Sequence, residues 1–72
     1  MEELTFGEKA VGLNFNPGGD EKVNEMKKLY AQIIDLLNEM RSEPSEKCRL
    51  ASIAITEAQT AQMWAVKAIT WK

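Results

Sequence analysis

The residues of this chain that could contact a ligand gather in one short stretch and its flank. Asn14-Phe15-Asn16-Pro17-Gly18-Gly19 puts an aromatic ring on a turn-forming segment that leads straight into a helix capped by Asp20. A ring so placed offers a flat face on which a base can stack. The helix start behind it presents free N–H groups that favour anions. Lys27 and Lys28, two turns further on, are cations suited to phosphate. Each residue also has a plain structural reading. Phe15 serves equally as an apolar staple onto the helices, Lys27 and Lys28 as a solvated face, and Arg49 beside Leu50 as a surface or interface charge. The residue types leave both readings open.

Catalysis has less to draw on. The chain has no histidine, its one cysteine and its serines lack a recognisable base partner, and no metal-ligand spacing occurs. No catalytic residue, metal or cofactor is expected. Glu2, Glu3, Glu39, Glu43, Glu46 and Glu57 read as solvated helix faces. A net charge of −2 argues against a partner of long nucleic acid, which needs many Lys and Arg on its phosphates. It leaves room for a small anion held by two or three cations. No apolar run approaches a membrane span, and the Met1-Glu2-Glu3 start lacks the basic region of a signal peptide. A cytoplasmic protein is expected, with Cys48 reduced and packed as a small hydrophobe.

The elements that must position these residues are all helical. Thr5-Phe6-Gly7-Glu8 is a capping box that opens a short helix from Phe6 to Val11, stopped at Gly12. A ligand loop follows, with Pro17 holding Asn16 extended. The first long helix spans 20–41, with a seam of Val23, Met26, Tyr30, Ile33, Leu37 and Met40. Leu29, Ile34 and Leu36 lie outside that seam, so more than one face must be covered. Ser42-Glu43-Pro44-Ser45 breaks the pattern, and Pro44 suits the first turn of a second helix over 44–71. The short link makes the two helices an antiparallel hairpin. The second helix carries an alanine seam, Ala51, Ala54, Ala58, Ala61, Ala65 and Ala68, fit for close approach of another helix. Further stripes hold Leu50, Trp64 and Trp71, and Cys48, Ile55 and Ile69, the tryptophans reading as subunit-interface anchors. A chain of 72 residues with no disulfide pair and no metal staple has too little core to stand alone. A homo-oligomer is expected.

Two blocks in order carry a family resemblance. The first is Gly7-Glu8-Lys9-Ala10-Val11-Gly12-Leu13-Asn14-Phe15-Asn16-Pro17 followed by Lys27 to Leu37. The second runs from Arg49 to Trp71. Together they resemble the phage anti-CBASS sponge family, whose helical hairpin is shared with anti-Thoeris sponges. The resemblance implies a protein of the infected bacterial host's cytoplasm that binds cyclic oligonucleotide messengers without cleaving them. Its ligands would be cyclic dinucleotides such as 3',3'-cGAMP, and cyclic trinucleotides. It further implies a homohexamer with dinucleotide pockets between protomers and separate trinucleotide pockets. The family's aromatic-Asn-Pro motif falls on Phe15, Asn16 and Pro17, and its phosphate-binding lysine on Lys28, or on Lys27 with a one-residue slip. Its arginine falls on Arg49, assigned to the trinucleotide pocket. Two rivals stand beside this reading. One is a cyclic ADP-ribose sponge, whose relatives carry added sequence ahead of the hairpin. The other is a helical protein-interaction module.

Overall fold

The computed structural model describes residues 3–72; Met1 and Glu2, part of the start read above against a signal peptide, lie outside the described residues. Among the described residues the chain is all-helical: α1 (Phe6–Ala10), α2 (Glu21–Glu39) and α3 (Glu46–Thr70). Both α1 and α3 pack on α2, which lies between them. None of the three is long and apolar enough to cross a membrane.

Local chemistry starts and stops each helix. At α1 the Glu8 N–H donates to Thr5 Oγ1 at 3.1 Å and the Thr5 N–H to Glu8 Oε1 at 2.8 Å, the capping box read from the sequence. The helix ends one residue early, at Ala10, because Gly12 takes a left-handed φ of 63°. That turn lets the Leu13 N–H reach the Glu8 carbonyl and the Gly12 N–H the Lys9 carbonyl, at 3.0 and 3.1 Å. Asp20 caps α2, its Oδ1 accepting from the Lys22 and Val23 N–H groups. The second long helix begins two residues later than Pro44, at Glu46. The Ser45 hydroxyl accepts the Cys48 N–H at 3.2 Å, so Ser45 is the cap and Pro44 stands outside the helix.

Gly7 sets how closely α1 approaches α2. A Cβ there would lie 2.1 Å from the Ala31 carbonyl oxygen, and the Gly7 N–H donates to Asp35 Oδ1 at 2.6 Å. Only a residue without a side chain fits that crossing. Gln59 ties α3 to the same place by donating to the Ala10 carbonyl at 3.3 Å.

This crossing moves the core away from the heptad seam expected for the first helix. The buried residues of α2 are Val23, Lys27, Ala31 and Ile34, while Ile33 and Met40 are exposed. Ile34, placed outside the seam by the 3.5-residue pattern, is fully buried. The reason is that α2 serves two partners, so its centre of burial lies between the stripes facing α1 and α3. On α3 the buried positions are Ala51, Ile55 and Gln62. Ala58 packs against the Val11–Ala31–Ile34–Ile55 core, whereas Ala61 and Ala68 face outward. Cys48 is half-buried, with its sulfur 4.0 Å from the Arg41 carbonyl oxygen.

The result is flat, 42 × 31 × 13 Å, about one helix thick. Its accessible surface is 5511 Å², whereas a compact chain of this mass exposes about 4,500 Å². Leu29, Leu36, Leu50, Met63, Trp64 and Trp71 are among the apolar side chains left on that surface.

Candidate functional site

The loop between α1 and α2 is held from several directions. The Phe15 N–H donates to the Gly12 carbonyl at 2.8 Å and the Gly19 N–H to the Asn16 carbonyl at 3.0 Å. Asn16 clamps the second turn with its side chain. Its Nδ2 donates to the Asp20 carbonyl at 3.0 Å, and its Oδ1 accepts the Asp20 N–H at 3.3 Å. Pro17, within that turn, presets φ for the reversal. Lys27 completes the brace from below. It is 5% exposed, and its ammonium donates to the carbonyls of Gly12, at 3.0 Å, and of Phe15. A lysine occupies the apolar stripe of α2 because the Phe15 carbonyl needs a donor there, and the same ammonium gives the Gly12 carbonyl a second one.

The Phe15 ring has no such anchorage. It is 74% exposed, and the staple onto the hairpin is not formed. Lys27 Nζ lies 5.5 Å from the ring centroid, within cation–π range. Ring and ammonium share a cleft of about 580 Å³ between the loop, the start of α2 and the end of α3. Asn16, Pro17, Val66, Ile69 and Trp71 also line it. That volume lies within the usual range of small-ligand pockets.

Charge in the cleft differs from the sequence expectation. The α2 N-terminus was expected to offer free N–H groups to an anion, but the Asp20 carboxylate already accepts two of them, from Lys22 at 2.8 Å and Val23 at 3.3 Å. Asp20 itself lines the cleft. Positive charge there comes from side chains, Lys27 and Lys72.

The structure brings Phe15, Asn16, Pro17 and Lys27 together and leaves Lys28 and Arg49 elsewhere. One residue on from Lys27 is a turn of about 100° around the helix. Lys28 accordingly sits exposed on another face, with Glu21, Asn24, Glu25 and Gln32. Arg49 is near the hairpin turn, about 30 Å along α3 from Ile69 at 1.5 Å per residue. It is exposed and paired with Glu46, one turn earlier on the same helix. Their hydrogen bonds hold the Glu46 carboxyl below its ordinary pKa and the Arg49 guanidinium above its own.

The family model "Acb2/Tad1, hairpin domain" matches residues 8–70, most of the chain. The chain belongs to the Acb2/Tad1 hairpin family. This is a family of phage anti-defence sponges, which bind messengers without catalysis. Comparison with curated proteins and with solved structures gives no match. The match spans the braced loop, α2 and α3 up to Thr70, so the cleft lies almost wholly within the Acb2/Tad1 region.

Sequence reasoning missed the α3 side of this cleft: Val66, Ile69, Thr70 and Trp71. A signal was available. In an antiparallel hairpin the 25-residue α3 outruns the 19-residue α2 by six residues, or about 9 Å. Its last turns must therefore reach the loop before α2.

Proposed function

We propose that this protein is a sponge for cyclic oligonucleotide messengers, holding cyclic dinucleotides such as 3',3'-cGAMP uncleaved and so keeping CBASS effectors silent in the cytoplasm of the infected host. The observation that carries the reading is Phe15, an almost bare ring on a rigidly braced loop with an ammonium 5.5 Å from its centroid. An exposed aromatic on a fixed backbone suits stacking, since little ordering is left to do on binding. Lys27 keeps a third N–H beyond the two it spends on carbonyls, and that donor serves a phosphate. Lys27 is thus the better placed of the two candidate lysines, and Lys28 serves as its control. Asn16 and Pro17 hold the loop's shape. Arg49 belongs to a second, trinucleotide pocket at the other end of the molecule.

The same reading includes assembly. The surface in excess of a compact monomer is about 1,000 Å². That is close to what one partner buries in a stable interface, about 800 Å². Copies of this chain covering Leu29, Leu36, Leu50 and Trp64 account for it, and the homohexamer itself is what the family resemblance implies. Light scattering should give a mass several times the chain's 8.1 kDa at micromolar concentration; a folded monomer would remove the hexamer.

The function is tested by incubating the protein with a panel of cyclic di- and trinucleotides and cyclic ADP-ribose isomers, washing, and heating. A cyclic dinucleotide should come off chemically intact. Release of a cyclic ADP-ribose alone would transfer the protein to the anti-Thoeris ligand class. Release of linear products would refute the sponge mechanism.

A further inference from the structure

The cleft has a second aromatic rim, Trp71, which the sequence reads only as a subunit-interface anchor. Trp71 lines it opposite the loop and is 73% exposed, almost as bare as Phe15. Its placement follows from chain geometry. α3 ends at Thr70, and Trp71 is its C-cap, with φ −63° and ψ 134°, so its ring still projects from the last helical turn while the chain beyond it turns away. Trp64, one heptad earlier, stays outside the cleft although it is similarly exposed. Exposure on the outer face of α3 therefore does not by itself put a tryptophan in the cleft.

Charge repeats the arrangement at Phe15. Lys67 Nζ lies 5.9 Å from the Trp71 ring and 5.4 Å from the Trp64 ring. Each rim thus carries an aromatic ring with an ammonium within about 6 Å, the cation–π range. A cyclic dinucleotide has two bases and two phosphates; an aromatic ring on each rim complements the bases, and Lys27 and Lys72 are the cations that line the cleft.

We propose that Trp71 is a ligand-binding residue, the second stacking wall of the Phe15 cleft, with Lys67 holding its ring from outside the cleft. The proposal rests on the reading of the cleft as the cyclic-dinucleotide site. Stacking needs a π face and subunit packing needs only apolar bulk, so Trp71→Leu separates the two.

The experiment uses Trp64→Phe as background, leaving Trp71 as the only tryptophan. Titration with 3',3'-cGAMP and with the rest of the cyclic-nucleotide panel is followed by tryptophan emission and by calorimetry. Emission should change in proportion to occupancy. Trp71→Leu should weaken binding about ten- to a hundredfold with the assembly intact by light scattering, and Trp71→Phe should restore most of the affinity. Unchanged affinity in Trp71→Leu overturns the proposal, as does a loss that accompanies dissociation of the assembly. Phe15→Ala in the same background tests the reading beneath it. Loss there with Trp71→Leu unaffected removes only the Trp71 wall. Undiminished binding in Phe15→Ala, or no binding of any cyclic nucleotide by the wild-type protein, removes the cleft reading as well.

Discussion

The two ends of the hairpin use the same kinds of residue to opposite effect. At the turn end both arginines are occupied with neighbouring side chains. Arg49 pairs with Glu46, while Arg41 donates twice to Asn38 Oδ1, at 3.1 and 2.8 Å, and once to Ser52 Oγ at 3.3 Å. The Arg41 guanidinium also covers the Phe6 ring at 5.1 Å. At the open end the polar groups serve the backbone instead, and the rings, each with an ammonium within about 6 Å, stay more exposed than Phe6. Asn16, Asp20 and Lys27 bind main-chain atoms, which leaves Phe15 and Trp71 facing solvent. Rigid backbone beneath exposed aromatic faces distinguishes a ligand platform from a connector. Composition alone would not separate these ends, since both are rich in charge and each carries phenylalanine.

The strongest way to break this contrast is to undock α1, whose Schellman turn starts the braced loop. Gly7→Ala puts a methyl group 2.1 Å from the Ala31 carbonyl oxygen, a clash with backbone that no rotamer relieves. Overpacking of this kind costs roughly 3 kcal/mol or more, and the bond to Asp35 goes with it. A fall in melting temperature of at least about 10 °C is expected. Dinucleotide binding should be lost, as calorimetric titration would report.

A sharper cut removes the brace and leaves the helices. Lys27→Met keeps the buried stem but strands the Phe15 carbonyl and takes from the Gly12 carbonyl one of its two donors, a loss of about 1–3 kcal/mol. Affinity should fall more than tenfold, and the loop amides should exchange faster. Lys28→Met, one residue away on an exposed face, should change stability by less than about 0.5 kcal/mol. Equal behaviour of the two variants would dissolve the distinction between them.

Much of the architecture was legible in the sequence. The capping box at Thr5 and Glu8, the stop at Gly12, the cap at Asp20 and the break after Arg41 depend on local chemistry that residue types specify. The core register was not. Ile34 and Lys27 lie on α2's buried stripe because α1 crosses it at Gly7, a contact between residues 28 positions apart at Gly7 and Asp35. No periodicity within α2 encodes that crossing. For the same reason Lys27 and Lys28 were indistinguishable by type, and only the loop carbonyls above the stripe separate them. The motif Phe15-Asn16-Pro17 marked the loop side of the cleft. Its other wall required setting the length of α3 against that of α2.

The central claim is that ligand affinity resides at the open end, on Phe15, and not at the turn end. Calorimetric titration of Phe15→Ala and Arg49→Ala with the same cyclic dinucleotide tests it most directly. Neither residue supports the core, so both variants should melt within a few degrees of the parent. Phe15→Ala should lose about 1–3 kcal/mol of binding energy, and Arg49→Ala should bind the dinucleotide unchanged. Full affinity in Phe15→Ala, or a greater loss in Arg49→Ala, would contradict the account.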